Sequence, residues 1–356
     1  MKCYKIAAVP GDGIGHEIVP AGLRVLQTVA AQENFQLAVD DFPWGAGYYL
    51  EHGEFMPSDG LQKLADYDAI YFGAVGRPDV DDTLPAMLYT FKVRKTFQQY
   101  VNYRPARLLP GVNSPLAGKT LQDIDFVVIR ENTEGEFVQA GSIVNPDESG
   151  GMAMETSVFT RKGIERVAHY SFQLAQRRRG KLTNVTKSNT LIHSLAYWDR
   201  VIAEVSEQYP DVAYDKMYVD NASANFVLHP DRFDVILTTN FIGDILSDLG
   251  GAIMGSLGLG PSGNINPEKD HPSMFEPIHG SAPDIAGQGI ANPIGAIWSG
   301  ALMLEHLGEA AGAARIVSAI ESTLQDGVKP VDIGGSAGTE EITNSILKHL
   351  ERAVTA

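Results

Sequence analysis

The stretch Ile6-Ala7-Ala8-Val9-Pro10-Gly11-Asp12-Gly13-Ile14-Gly15 joins a short apolar run to a glycine-rich turn, and an amphipathic segment follows from about His16 to Gln32. A short apolar run that ends in a glycine turn is typical of a buried strand, and the longer amphipathic segment is typical of a helix. The first part of the chain is therefore predicted to form a strand, a turn and a helix.

The same alternation continues through the chain. Further buried strands are predicted at Ala69–Val75, Asp125–Ile129 and Asp234–Thr238, and further helices at Thr160–Gln176, Ala196–Gln208, Gly243–Leu249 and Gly295–Leu307. Strands that alternate with helices predict an α/β fold with a largely parallel inner sheet. No linker rich in Pro, Gly or Ser separates two halves, so the pattern leaves open one large domain or two domains between which the chain crosses more than once.

Composition argues against several classes of partner. The 356 residues carry a formal net charge of −16, which disfavours binding to nucleic acid or to an anionic membrane surface. The single cysteine, Cys3, excludes an intrachain disulfide. With no visible leader sequence and no apolar run long enough to span a bilayer, these features predict a cytoplasmic protein.

The first glycine-rich turn has the position of a dinucleotide fingerprint but not its spacing. Gly11, Gly13 and Gly15 form a G-x-G-x-G pattern, and residue 16 is His. The fingerprint needs its third glycine one place later, where the helix packs closely on the strand. A structural turn is therefore favoured over a Rossmann phosphate loop.

Three arginines are candidates for binding carboxylates. Arg94 lies in Phe91-Lys92-Val93-Arg94-Lys95, Arg104 lies in Asn102-Tyr103-Arg104-Pro105, and Arg130 ends the apolar strand Phe126–Ile129. A planar guanidinium binds a carboxylate through two parallel hydrogen bonds. The alternative for each arginine alone is an ion pair with a local acid.

Carboxylate spacing indicates a metal site. Asp244 and Asp248 are four residues apart in a predicted helix, so both lie on one face and repel each other. A divalent cation would relieve this repulsion, and oxygen ligands favour Mg²⁺ or Mn²⁺. Asp220, after Met217-Tyr218-Val219, could be a third ligand, and the alternative is a solvated acidic helix face.

Two further segments carry chemistry-bearing side chains. Lys187 follows the strand-like Leu182–Val185 and would be a general base only if its surroundings lower its pKa; otherwise it is a surface lysine. The long polar turn from Glu276 to Pro293 contains small residues, a His and an Asp before a helix. Such a turn suits a nucleotide, although an ordered surface loop would look similar.

Together these segments resemble the β-decarboxylating dehydrogenases, the family of isocitrate, isopropylmalate, homoisocitrate, tartrate and D-malate dehydrogenases. The resemblance covers essentially the whole chain. Its most specific parts are residues 130–136, 186–189, 243–248 and 276–293. Residues 97–105 are most similar to the tartrate and D-malate branch.

The resemblance implies an isopropylmalate-dehydrogenase-like fold of two domains, with a non-Rossmann cofactor site. Residues 1–103 and 252–356 would form the large, cofactor-binding domain with a mostly parallel sheet, and residues 104–251 the small, dimerisation domain. The active site would lie in the cleft between them. The protein would be a homodimer whose two subunits share each site.

The resemblance also implies the cofactors and the residues that bind them. NAD would be bound by Glu276, His279, Gly280, Ser281, Ala282, Asp284, Ile285 and Asn292. The pair Asp284-Ile285 matches the members that use NAD, whereas users of NADP carry Lys-Tyr there. Mg²⁺ or Mn²⁺ is the implied metal, and the resemblance leaves open K⁺ as a further cofactor.

The implied roles in the reaction follow position by position. Arg94, Arg104 and Arg130 would hold the substrate carboxylates, and Asp220, Asp244 and Asp248 would hold the metal. Lys187 would be the base, and the two implied catalytic residues, Lys187 and Asp220, would reach each site from the partner subunit. The reaction would be the oxidation of a 2-hydroxy dicarboxylic acid of the D-malate or tartrate type, followed by decarboxylation.

One position departs from the family pattern. The family usually ends its Arg-Glu-Asn motif with a tyrosine that helps to protonate the enol after decarboxylation, and this chain has Phe137. Loss of a general acid typically costs about 10²–10⁴ in rate. The chain would therefore oxidise without completing decarboxylation, obtain the proton from another group or from water, or be an impaired member.

Two alternatives stay open at this point. One is a dehydrogenase of 3-isopropylmalate or of another 3-substituted malate, for which residues 83–91 would line the substituent pocket. The other is a non-catalytic regulatory or binding homologue. That homologue would be expected to lose metal or base positions, yet Asp220, Asp244, Asp248 and Lys187 all match.

Overall fold

One mixed sheet of ten strands runs through the molecule, in a computed structural model that describes residues 1–352. The strands are β1 (Lys2–Gly11), β2 (Phe35–Asp41), β3 (Ala69–Ala74), β4 (Val101–Arg107), β5 (Asp125–Glu131), β6 (Gly135–Val144), β7 (Met152–Val158), β8 (Lys181–Thr186), β9 (Ala213–Tyr218), β10 (Val235–Thr238), β11 (Pro261–Ile265) and β12 (Ser273–Pro277). All but β6 and β7 belong to the large sheet, and those two form a separate antiparallel hairpin.

Helices cover both faces of the sheet. They are α1 (Gly15–Gln32), α2 (Ala46–His52), α3 (Gly60–Leu64), α4 (Thr83–Pro85), α5 (Phe91–Thr96), α6 (Arg161–Arg177), α7 (Ser194–Ser206), α8 (Val219–Leu228), α9 (Asn240–Ile253), α10 (Ile294–Leu307), α11 (Ala310–Gln325) and α12 (Thr339–Arg352). A π-helical turn, Ala86–Thr90, precedes α5. In the described residues, no helix is both long and apolar enough to cross a membrane.

The strand order is β2-β1-β3-β12-β11-β4-β5-β10-β8-β9. Strands pair in parallel toward both edges, whereas β12, β11, β4 and β5 pair antiparallel in the middle. The predicted α/β class and the largely parallel sheet are confirmed. The antiparallel centre was not predicted, because strand pairing depends on residues far apart in sequence. The division into two domains at residues 103/104 and 251/252 stays a prediction, since the sheet is continuous across it.

Alternation of side chains along β1 places its apolar residues in two cores. Ile6 and Ala8 pack in a core with residues of α1 and α10, whereas Ala7 and Val9 pack with Trp44 on the other face. Because successive strand residues point to opposite faces, a run of buried apolar residues indicates a strand that is covered on both sides. The apolar run that opens the sequence is such a strand.

The predicted strands and helices all occur, with ends that shift by a few residues. Thr160 caps α6, where its hydroxyl accepts a hydrogen bond from the Gly163 amide, as expected at a helix start. Two element boundaries affect the site. β5 extends beyond Ile129 to Glu131 and so includes Arg130, and Asp220 lies in the first turn of α8, directly after β9 ends at Tyr218.

Candidate active site

The three predicted arginines come together at the centre of the sheet. Arg104 on β4 and Arg130 on the neighbouring β5 are both buried, and Arg94 lies in α5 with its side chain also buried. The antiparallel register places Arg130 opposite Asn102, two residues from Arg104, so both guanidinium groups extend from the same face of the sheet. Two of the three predicted carboxylate-binding side chains are thus held by adjacent strands.

Helix α9 crosses this face and brings two aspartates to the arginines. Arg130 forms an ion pair with Asp244 and also donates to Oδ1 of Asn240 at 2.8 Å. Nη1 of Arg104 lies 3.2 Å from Asp248 and 3.6 Å from Asp244. The predicted i, i+4 aspartates therefore lie side by side, and both face the arginines that are predicted to bind the substrate carboxylates.

Burial and opposite charge act against each other within this cluster. Burial lowers the pKa of Arg130, and Asp244 opposes that effect. Burial raises the pKa of Asp244, but Arg130 and Arg104 more than offset this, and the pKa lies below its usual value. The pKa of Asp248 is raised, because burial outweighs the effect of Arg104. Asp244 is therefore held as a carboxylate, the form that binds a cation.

Arg94 has a different partner. Its Nη2 lies 2.9 Å from Oε1 of Glu276 in a buried ion pair, and Asn264 donates to the same oxygen at 2.7 Å. Glu276 was predicted to contact NAD, and here it links the cofactor segment to an arginine of the predicted substrate site. Nε of Arg94 and Nε of Arg104 are buried without a hydrogen-bond partner, so each has donor capacity left for a ligand.

The remaining metal and base candidates form a separate pair. Nζ of Lys187 lies 2.6 Å from Oδ1 of Asp220, and the hydrogen bond from Lys187 lowers the pKa of that carboxyl group. The Asp220 side chain is 66% exposed, and Lys187 is half-buried. Asp220 is therefore open to solvent on the surface of a single chain.

No group of three or more His, Cys, Asp or Glu side chains in residues 1–352 could hold a metal ion. Asp244 and Asp248 thus provide two carboxylates, and Asp220 of the same chain is not beside them. A complete three-aspartate site would need Asp220 from elsewhere, as the sequence resemblance implies.

The predicted cofactor loop lines an apolar pocket of about 300 Å³. His279, Ala282, Ile285 and Asn292 contribute to its wall. Burial lowers the pKa of His279, so its imidazole is neutral near pH 7. Its Nδ1 lies 3.0 Å from the Gly280 carbonyl oxygen and donates to it, which leaves Nε2 as a buried acceptor without a partner. A ligand with an amino group, such as an adenine, would satisfy this nitrogen.

The other predicted cofactor residues belong to the same segment but are not among the residues that line this pocket. Ser281 is buried, and Gly280 and Asp284 are exposed. The Asp284 carboxylate is thus available at the surface of the loop, where it could meet ribose hydroxyl groups. The fit of NAD to these residues stays a prediction.

Sequence reasoning missed part of this pocket. Val331 and Asp332 line it from a short 3-10 turn about forty residues after the loop, and Ser256 and Ile14 line it from two other segments. Asp332 accepts hydrogen bonds from Ser256 at 2.5 Å and from Asn292 at 3.1 Å. No local sequence signal connects these segments, because only the fold brings them together.

Phe137 lies within a group of aromatic rings beside Arg130. Its ring stacks on Phe91 with centroids 5.6 Å apart and meets Phe241 edge-on at 6.1 Å. The guanidinium of Arg130 lies 5.7 Å from the Phe137 ring centroid, a cation–π distance. The ring is therefore at the predicted site, and it brings no hydroxyl there.

Comparison with known proteins gives the family. The model of the isocitrate/isopropylmalate dehydrogenase family matches residues 5–346. The chain belongs to this family. The match spans the arginines, the aspartates and the cofactor loop, so the family is shown for the whole site and not for one motif.

Individual relatives are similar over nearly their full lengths. The chain is 48% identical to the D-malate dehydrogenase (decarboxylating) of Escherichia coli strain K12, covering 99% of this chain and 100% of that protein. It is 47% identical to the tartrate dehydrogenase/decarboxylase of Pseudomonas putida, covering 98% of both. The crystal structure of isocitrate dehydrogenase from Methylococcus capsulatus superimposes with a TM-score of 0.88 at 34% identity, covering 98% of this chain and 99% of that one.

The predicted resemblance and fold are thus confirmed. Membership of this dehydrogenase family makes the chain an oxidoreductase, and the relatives include decarboxylating dehydrogenases of hydroxy acids.

Proposed function

We propose that this family member is an NAD- and divalent-metal-dependent dehydrogenase of a 2-hydroxy dicarboxylic acid of the D-malate or tartrate type. The observation that carries the proposal is the pairing of buried Arg104 and Arg130 with Asp244 and Asp248. Such a cluster provides cationic donors for carboxylates next to carboxylates that bind a cation. A substrate with two carboxylates and a hydroxyl between them complements both parts.

The residues present fit both implied cofactors. The neutral His279, with its unpartnered Nε2 in a pocket of about 300 Å³, suits the adenine of NAD, and exposed Asp284 would repel a 2′-phosphate. Asp244 and Asp248 supply the hard oxygen ligands that Mg²⁺ and Mn²⁺ prefer. When bound, the metal would polarise the C2 hydroxyl and later the β-keto carbonyl, and NAD would accept the hydride.

The side chains of this chain would orient the substrate. Arg104 and Arg130 would exchange their aspartate partners for the substrate carboxylates, so that the aspartates become available to the cation. Arg94, fixed by Glu276, would add a third cationic donor through its free Nε. Bidentate arginine contacts fix the position of a carboxylate and not only its charge.

Lys187 would accept the proton of the C2 hydroxyl. Its ammonium is held by Asp220 at 2.6 Å, and a carboxylate partner fixes the position of the nitrogen. In a complete site Asp220 would be one of the residues that hold the cation, and Lys187 would then lie beside the bound substrate.

We infer a homodimer because the pair of Lys187 and Asp220 lies apart from the arginine–aspartate cluster, and because apolar side chains are exposed. Exposed apolar side chains lie on or next to α8 and α9 and in the segment before α7; they are Tyr218, Val227, Leu228, Phe241, Ile245, Leu191 and Ile192. The β6–β7 hairpin exposes Ile143, Val144, Met152, Met154 and Val158, and an isolated hairpin has little stability of its own. Apolar patches of this kind favour burial against a second copy.

Decarboxylation is part of the proposal, with a proton source other than residue 137. Once carbon dioxide leaves, the enol must receive a proton, and the Phe137 ring has none to give. Water that enters the cleft beside Arg130 is the simplest donor. The proposal therefore predicts slower release of carbon dioxide than in relatives that carry the tyrosine.

A second candidate substrate is a 3-substituted malate. Met87 and Leu88 on the π-helical turn are 45% and 43% exposed, and Phe91 follows them beside Phe137. Exposed apolar side chains at the edge of a polar site favour a substrate with an apolar substituent.

A substrate panel tests these proposals. D-malate, tartrate, 3-isopropylmalate and isocitrate are each supplied with NAD or NADP and with Mn²⁺, Mg²⁺ or a chelator, while reduced cofactor and carbon dioxide are measured separately. We expect the highest kcat/KM with D-malate or tartrate, NAD and a divalent ion. Turnover that survives chelation would refute the metal site, and no turnover under any condition would favour a non-catalytic binding subunit.

A further inference from the structure

The glycine-rich turn that lacks the Rossmann spacing contacts the cofactor loop. The amide of Ile14 donates to the Ser281 carbonyl oxygen at 2.9 Å. Gly13 has a positive φ of 57°, and a Cβ at that position would lie 2.0 Å from the same oxygen. The missing side chain of Gly13 therefore lets the two segments meet, which gives the turn a role in supporting the loop.

Glu17, one turn further on, holds the loop more directly. Its two carboxylate oxygens accept hydrogen bonds from the amides of Gly287 at 2.6 Å and Gly289 at 3.0 Å. Both glycines have positive φ and are exposed, and nothing would contact a Cβ at either position. Packing therefore contributes little to the conformation at these two residues.

The loop also stands between two cavities. Ala282 and Ile285 line the apolar pocket of about 300 Å³, whereas Ala286 and Gly287 line a larger cavity of about 630 Å³ together with Glu17. The far end of the loop is fixed by Thr339, whose amide donates to the Gly289 carbonyl oxygen at 2.9 Å. Glu17 therefore holds the part of the loop between the cavities from outside the loop, whereas the Gln288 side chain bonds within the loop, to the Asp284 carbonyl oxygen at 2.8 Å.

We propose that Glu17 is a positioning residue for NAD, holding residues 280–289 in the conformation that binds the cofactor. This inference rests on the proposed NAD site. The two amide hydrogen bonds to the Glu17 carboxylate are stronger than bonds to a neutral acceptor would be, because the negative charge strengthens both. Without it the loop would sample other conformations, and the apparent affinity for cofactor would fall by the fraction of time spent in them.

The variants Glu17→Ala and Glu17→Gln test the proposal in the full-length protein. Alanine removes both bonds, whereas glutamine retains one acceptor oxygen and places an NH₂ group against the second amide. Glu33→Ala is the matched control, because Glu33 follows the same helix and its ion pair with Arg315 at 2.6 Å is remote from the loop.

Two quantities are measured: the Kd of NAD in the presence of Mn²⁺, and hydrogen exchange of residues 280–292 without cofactor. We expect Glu17→Ala to raise the Kd of NAD about tenfold or more, with Glu17→Gln intermediate and Glu33→Ala unchanged. Exchange at Gly287 and Gly289 should accelerate, while kcat at saturating NAD and the KM of the hydroxy acid stay near wild type.

An unchanged Kd in Glu17→Ala, with a wild type that binds NAD, would overturn this inference alone. A KM for the hydroxy acid that rises as much as the Kd of NAD would also overturn it, because the effect would then be general. A wild type that does not bind NAD would instead refute the proposed cofactor site, and the role of Glu17 with it.

Discussion

Nζ of Lys187 lies 2.6 Å from Oδ1 of Asp220, on a part of the chain separate from the ion pairs that link Arg104 and Arg130 to Asp244 and Asp248. The single chain thus keeps these two groups of charged residues apart. One carries the proposed base and an exposed carboxylate, and the other carries the buried arginines and two carboxylates. We propose that they are two half-sites, and that each supplies the charges that the other lacks for catalysis.

The first prediction concerns the missing hydroxyl. Phe137→Tyr places a phenol beside Phe91 and Arg130, at the position where the family usually has its proton donor. If protonation of the enol limits decarboxylation, the rate of carbon dioxide release should rise by about 10²-fold or more. Separate assays of carbon dioxide and NADH, with D-malate as substrate, measure the change.

Phe91→Tyr is the comparison for this variant, because it adds the same hydroxyl one ring away. It should give no comparable gain. Equal rates of carbon dioxide release in wild type and Phe137→Tyr would show that the proton arrives efficiently by another route.

The second prediction concerns the buried arginine on β5. Arg130→Lys keeps the charge but cannot hold Asn240 and a carboxylate in one plane, as the guanidinium does. We expect kcat/KM for the dicarboxylate to fall about 10- to 100-fold. Steady-state kinetics at saturating NAD and metal provide the measurement.

Arg107→Lys is the matched control on the neighbouring strand. Arg107 lies three residues beyond Arg104 on β4, pairs with Glu321 and packs over Trp298, on the face away from the site. Its kcat/KM should stay near wild type. A similar loss in both variants would assign the effect to the sheet and not to substrate binding.

The sequence predicted the site better where its signal is local. The i, i+4 spacing of Asp244 and Asp248 depends on neighbouring residues, and the structure confirms that both lie in one helix and face the buried arginines. That the turn at Gly11–Gly15 is structural and not a phosphate loop stays a prediction. The predicted end of β5 at Ile129 was too early, because Arg130 is held in the strand by its pairing with Asn102. That pairing could not be seen in the pattern of β5 alone.

Residues joined only by the fold could not be predicted. Asp332 reaches the cofactor pocket through hydrogen bonds from Asn292 and Ser256, which lie 40 and 76 residues away in sequence. Nor did the sequence alone indicate that Glu276 pairs with Arg94, 182 residues distant. Such contacts need the three-dimensional arrangement of strands, which apolar periodicity does not encode.

The third prediction concerns stability at acid pH. Burial, assisted by Lys269, lowers the pKa of His306 from 6.5 to about 4. Below about pH 6.5 the unfolded chain binds a proton that the folded chain does not, so the free energy of unfolding should fall as the pH decreases toward 4. This group would contribute about 2–3 kcal/mol to that loss.

His306→Gln should therefore lose less stability than wild type between pH 7 and pH 4.5, as measured by urea unfolding. Exposed His229→Gln serves as the control and should follow the wild type. Equal losses in wild type and His306→Gln would mean that the buried imidazole does not contribute to acid sensitivity.

Catalysis, as proposed, requires that two half-sites join across a dimer. Lys187→Ala and Asp244→Ala should each be nearly inactive alone. In either homodimer, both active sites lack one of the two required residues. In a mixed dimer, one site would carry both changes and the other neither. Only subunits that exchange these residues can regenerate a complete site in this way.

The decisive measurement is the NAD- and Mn²⁺-dependent activity of Lys187→Ala and Asp244→Ala after they are unfolded together and refolded as an equal mixture. Half of the dimers are then mixed and one site in each is intact, so roughly a quarter of wild-type activity should return. Activity no higher than that of the separate variants, in a mixture shown to contain mixed dimers, would contradict the shared site.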